Sequence, residues 1–277
     1  MKRPYLICAA SAVARRELRH SFYGLGLYTV LTVCFLISFY IARSYADSML
    51  QGGVAISKCP LEYPAYLTTT ILALYLALCA SISVSRERDQ GTLEVLFCGP
   101  MNHGSYLMAR FSEQIVLFCI ALCCVTVYFT VMSLVSGLEL GLRFWSTIAG
   151  SVLLASYTSA FGLLVSVLSK NPRTATAVFL LVNLILIGIR TAASVLSGTS
   201  NEVLSASVIY LKLATVVADR ALRWVSPFSY CTWLTDAVEL GDVRIVAIIV
   251  AAAVIYTALL LSLATKALQR RGVRTGQ

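Results

Sequence analysis

Residues 245–265 read IVAIIVAAAVIYTALLLSLAT, 21 consecutive residues with no charge, glycine or proline. At 1.5 Å per residue a helix of that length is about 32 Å long. That matches the roughly 30 Å hydrocarbon core of a bilayer. A strand of a membrane barrel would alternate apolar and polar residues at period 2, and this run does not. Five further apolar runs lie at residues 22–42, 65–85, 115–136, 144–169 and 174–196. The 26-residue run 144–169 is either tilted or partly outside the hydrocarbon. The expected fold is therefore an all-α polytopic membrane protein with six transmembrane helices, residues 1–277 forming one transmembrane domain. Composition agrees. The residues AVILMFWYC make up 58% of the chain and charged residues 13%, against about 25% charged in soluble domains. A soluble globular enzyme and a disordered chain are both excluded on that basis.

The basic excess is accounted for by topology. The chain has 22 Lys+Arg and 13 Asp+Glu, a net charge of +9. With the N-terminus inside, 14 of the basic and five of the acidic residues fall on the inner side, and eight of each on the outer side. The inner side thus carries the whole excess, as the positive-inside rule requires. This leaves no reason to expect nucleic acid as a partner. The expected location is the cytoplasmic membrane, with both termini cytoplasmic. A seventh span over residues 203–218 would put the basic tail 266–274 outside and violate the rule. In that region Leu204, Val208, Leu211, Thr215, Ala218, Leu222 and Val225 recur at alternating steps of four and three. The spacing predicts an amphipathic helix on the outer side, within an outer segment 197–244.

The first 21 residues predict a helix along the inner leaflet. Ile7, Ala10, Ala14 and Leu18 fall on one helical face, while Arg15 and Arg19 fall on another and Arg16 adds to the positive charge. Basic residues near an anionic surface contribute about 1 kcal/mol each. A short signal peptide, a lipoprotein signal ending at Cys8, and a solvated basic tail remain as alternatives.

Between the second and third runs lies an inner loop, residues 86–114, whose start reads SRERDQGTLEVLFCGP from Ser85 to Pro100. Gly91 allows a break, Thr92 can cap a short helical turn, and Gly99-Pro100 ends it. Residues 101–114 predict a second inner helix. The string Arg-Glu-Arg-(x2)-Gly-Thr-Leu-Glu-(x)-Leu-(x3)-Pro resembles the first cytoplasmic loop of ABC-2-type transporter permeases. A second segment, Ser226-Pro227-Phe228-Ser229-Tyr230, resembles one that precedes the last span in that family. The resemblance implies a permease subunit without catalytic activity of its own. It implies a coupling helix at Gly91, Thr92, Leu93, Glu94 and Leu96, approached through Arg86, Glu87 and Arg88, that docks on a separate ATP-hydrolysing subunit. It further implies two copies of that subunit, a second permease, and export as the direction. The chain has no Gly-x4-Gly-Lys-Ser/Thr string, so no cofactor is expected on it; ATP and magnesium would sit on the partner. Two other readings stay open: an ATPase-driven scaffold that acts mechanically on an outer protein, and an unrelated six-span channel.

The remaining polar residues offer few alternatives. His20 and His103 are the only histidines, and no catalytic or metal-binding arrangement is expected. Asp236, Glu239 and Asp242 read as a solvated turn. Of nine cysteines, Cys119 and Cys123 are four apart on one helix and read as packing residues. Cys59 and Cys231 both fall outside and form a possible disulfide if that compartment is oxidising. Asn183 lies near the middle of a span, where it faces either a pathway or another helix. Arg190 lies nearer an outer end, within reach of the interface or an outer acid.

Overall fold

The computed structural model describes residues 18–19, 22–50, 61–93, 102–137, 140–198, 213, 215, 217, 220–222 and 226–270. Of these residues 93% are helical and none is in a strand. Seven helices with described bounds run in order among the described residues: α1 Leu25–Leu50, α2 Glu62–Asp89, α3 His103–Ser136, α4 Leu142–Leu168, α5 Pro172–Gly198, α6 Pro227–Glu239 and α7 Val243–Arg270. All except α6 are long and apolar enough to cross a membrane. The end of the bundle where α2 closes and α3 opens is called proximal here, and the opposite end distal.

Two helices differ from the expectation. The third run does not begin at residue 115 after a separate inner helix. Instead α3 is one continuous helix of 34 residues from His103, about 51 Å long, so it overshoots a bilayer core at the proximal end. No glycine or proline interrupts residues 105–136, and the charges within its first turns are satisfied by one another. The other difference is α6, a 13-residue helix within the expected outer segment. Ser226 precedes it and Pro227 opens it, the favoured order at a helix start. Of the amphipathic helix expected over 203–225, residues 213, 215, 217 and 220–222 are described, and each is helical.

The core is built on α4, whose most apolar window is 67% buried, against 17% for α5. α2 packs on α4 more extensively than any other pair. Gly162 permits that approach: a Cβ there would stand 2.4 Å from the Ala77 carbonyl oxygen. Many hydroxyls inside the spans donate to carbonyls one turn back, as Thr68 to Pro64 (2.7 Å) and Thr158 to Leu154 (2.9 Å) do. This removes the cost of carrying a bare hydroxyl into hydrocarbon. α1 is held by a Ser38–Thr68 hydroxyl pair at 2.5 Å, and the Tyr128 hydroxyl of α3 donates to Phe35 O at 3.0 Å. Leu18 and Phe22, just ahead of α1, pack on the same core while Arg19 is exposed.

α6 lies along α4 in the opposite direction. Glu239 meets Arg143, Cys231 and Leu234 lie beside Gly150, and Tyr230 faces Tyr157 with ring centroids 6.5 Å apart. Over its length of about 20 Å the helix covers the distal part of the bundle, and Pro227 reaches the level of Tyr157.

Candidate functional site

The proximal end of α2 gathers the chain's densest polar network among the described residues. Four charged residues in a row, Arg86 to Asp89, end an otherwise apolar helix. Arg86 and Asp89 are exposed, while Glu87 and Arg88 are half-buried and turn back toward the bundle. The Glu87 carboxylate accepts from the Tyr106 hydroxyl and from Arg110, both on α3. Arg110 Nη1 also donates to Glu113 Oε2 at 3.2 Å, and its guanidinium lies 5.8 Å from the Tyr106 ring centroid. The Arg110 and Glu113 side chains are 8% and 3% exposed and Glu87 19%. One cation therefore serves two carboxylates in a nearly dry site, where pairing decides whether burial is tolerable.

Arg88 works on the other neighbour. Its Nη1 donates to the carbonyls of Val167 and Ser169, each at 3.2 Å. These are among the last carbonyls of α4, which have no intrahelical partner and carry the negative end of the helix dipole. One turn earlier the Ser166 hydroxyl accepts from the backbone N–H groups of Val84 (3.1 Å) and Ser85 (3.0 Å). The end of α2 is thus pinned to α3 by Glu87 and to α4 by Arg88 and Ser166.

The loop leaves this anchor abruptly. Gly91 has φ +69, in the left-handed region where a side chain is strained. Gln90 N–H bonds to Arg86 O, Gly91 N–H to Arg88 O, and the Thr92 hydroxyl to Glu87 O at 3.1 Å. Leu93, 7% exposed, then turns back into the core beside Val84, Tyr106 and Leu107. Thr92 is exposed and helical. Glu94 and Leu96, the other residues of the expected coupling turn, lie outside the described residues, as do Arg15 and Arg16 of the N-terminal segment.

At the distal end a second basic centre joins three helices. Arg143 of α4 bonds to Glu239 of α6, through Nε at 2.9 Å and also through Nη2, and lies 3.5 Å from Glu62 of α2. Arg190 of α5 points toward α6, where Nη2 donates to Thr232 Oγ1 at 3.1 Å. Cys231 is a buried free thiol against α4; Cys59 is outside the described residues. Asn183 is 5% exposed and its Nδ2 donates to Phe179 O at 2.9 Å.

Sequence reasoning placed Glu87 and Arg88 in the loop approach but gave them no partners. Tyr106, Arg110, Glu113, Ser166 and Arg143 were not singled out. Arg110 and Glu113 did carry a usable signal, since opposite charges three apart ahead of an unbroken apolar run mark a buried ion pair on a continuing helix. Ser166 carried none.

Comparison with curated proteins finds no match. A family model described as "ABC-2 family transporter protein" matches residues 11–273, nearly the whole chain. With six candidate spans and the Gly91 loop at the end of the second, the protein is a multi-pass membrane member of the ABC-2 transporter family.

Proposed function

We propose that the chain is the permease subunit of an ABC transporter and that its proximal loop, beginning at Gly91, is where a separate ATP-binding subunit docks. The observation that carries this reading is the anchoring of α2. A force applied to the loop meets no slack, because Glu87 ties the helix end to α3 and Arg88 and Ser166 tie it to α4. Binding energy from nucleotide-driven closure of the partner would reach three spans at once, which coupling between distant sites requires. In this reading ATP and Mg2+ bind to two copies of the partner subunit, the proximal end is cytoplasmic, and the chain itself is not catalytic. A second permease pairs with it through the apolar faces of α1 and α5, which include exposed Leu36, Phe39, Leu180 and Leu184. The direction is export, and the moved substrate passes between the two permeases.

The test is co-purification from native membranes in mild detergent, comparing wild type with Glu94→Arg. An ATP-binding protein recovered with the wild type and lost with the variant is the expected result. The same ATPase retained by both would remove Glu94 from the contact. No ATPase with either, in protein that elutes as a folded species, overturns the reading.

A further inference from the structure

A cavity of about 330 Å3 opens in the middle of the bundle, away from the proximal network. Tyr157 and Phe161 of α4 form its back, Asn183 of α5 and Tyr256 and Leu260 of α7 its sides, and Pro227 at the start of α6 closes it distally. α5 and α7 make almost no direct contact across it among the described residues, and Leu222, from the segment ahead of α6, also lines it. Its size falls at the lower end of the roughly 300–1,000 Å3 range of small-molecule sites.

The chemistry of the wall is specific. Among the described residues no Lys, Arg, Asp or Glu lines it, so a charged ligand would lose its hydration there without a counter-charge. Tyr157 and Tyr256 stack at 4.9 Å with planes 19° apart, which gives one rigid flat side. Thr158 also lines the cavity, but its hydroxyl donates to Leu154 O and Ala155 O. Asn183 is different. Its Nδ2 is committed to Phe179 O, and its Oδ1 has no partner among the described residues. A carbonyl oxygen in an apolar setting costs free energy until it accepts a hydrogen bond.

We infer that this cavity binds an uncharged, largely apolar molecule bearing one hydroxyl, whose O–H donates to Asn183 Oδ1 and whose body lies against the Tyr157–Tyr256 stack. The ligand is either a neutral bilayer lipid that enters between α5 and α7 or a hydroxylated apolar cargo. The inference requires only that the bundle spans a membrane, and it stands apart from the docking of an ATPase.

The experiment uses the full chain in detergent with photoactivatable probes. These are a 16-carbon alcohol carrying a mid-chain diazirine, its methyl ether, and the same chain ending in trimethylammonium. The alcohol is expected to label peptides around 157–161 and 256–260 saturably, and unlabelled hexadecanol to compete. The ether and the ammonium compound should label these peptides at least about 5-fold less, as loss of one hydrogen bond implies. Asn183→Leu should lower labelling by the alcohol about 5–10-fold and leave labelling by the ether unchanged. Leu260→Trp, which puts an indole into the cavity, should lower labelling by all three, and it keeps the test usable if the first variant does not fold. Native mass spectrometry separates the two sources. A neutral lipid that co-purifies with the wild type and is missing from Asn183→Leu marks a bilayer ligand. Labelling without a resident lipid marks a cargo. Equal labelling by the three probes, or unchanged labelling of a folded Asn183→Leu protein, overturns the inference.

Discussion

Removing Arg110 and Glu87 singly and together tests whether the proximal network is a working joint. Arg110→Met leaves Glu87 and Glu113 facing each other in a site where their side chains are 19% and 3% exposed. Breaking a buried pair by deleting one partner costs about 3–5 kcal/mol. Glu87→Gln is milder. The amide oxygen still accepts one hydrogen bond, Arg110 keeps Glu113, and what is lost is one charge-assisted bond of about 1.5–3 kcal/mol. In the double variant the bond removed by the second change is already gone, so the two costs do not add. The coupling energy should be about 1.5–3 kcal/mol, within the range found for residues of one network. The assay is reversible unfolding in mixed micelles of rising denaturing-detergent fraction, followed by tryptophan fluorescence from Trp145, Trp224 and Trp233. Additive losses, with a coupling below about 0.5 kcal/mol, would show that the contacts do not act together. The anchoring from which the coupling role is proposed would then fall with them.

Further outcomes follow from single residues. Gly91→Ala adds a side chain at φ +69 with open space around it, so its cost is conformational alone, about 1–2 kcal/mol, and binding of the ATP-binding subunit should weaken by a comparable amount in a pull-down titration. Gly162→Ala drives a Cβ into the Ala77 carbonyl oxygen and should destabilise by about 1–3 kcal/mol; Gly188→Ala, with nothing within 4 Å, should be neutral or slightly stabilising in the same melt. Arg143→Gln removes a pairing in which the Arg143 and Glu239 side chains are 39% and 53% exposed. Its cost should stay below about 1 kcal/mol and shrink further in 1 M salt.

The six spans were legible because hydrocarbon demands long uninterrupted apolar runs, and nothing else in a sequence looks like them. Helix ends were less legible, since a charge was read as the place where a helix leaves the membrane. That reading placed residues 101–114 in the loop, but Arg110 and Glu113 neutralise each other within α3 and the helix runs on past them. α6 was missed for a related reason. Ser229, Thr232, Thr235, Asp236 and Glu239 interrupt it every few residues, and at 13 residues it is too short to read as a span. Ser226-Pro227 marks a helix start, but a start alone does not give the helix's length. The loop motif drew attention to Glu87 and Arg88, yet their partners lie 23 and about 80 residues away. Pairings at that distance depend on how the helices are rotated about their axes, which composition and spacing do not encode.

The short helix has a consequence for biosynthesis. A segment of 13 residues falls well below the ~20 that a spanning helix needs, so residues 227–239 cannot settle as a span when they emerge from the insertion machinery. One wall of their berth, α4, already exists at that moment. The other wall is made of Ile249 and Ala253 of α7, against which Tyr230, Leu234 and Ala237 pack, and it is synthesised after α6. The distal half of the bundle therefore closes only after translation has passed residue 253. A chain stopped ahead of α7 keeps five spans but leaves the apolar face of α6 uncovered, a defect open to membrane quality control.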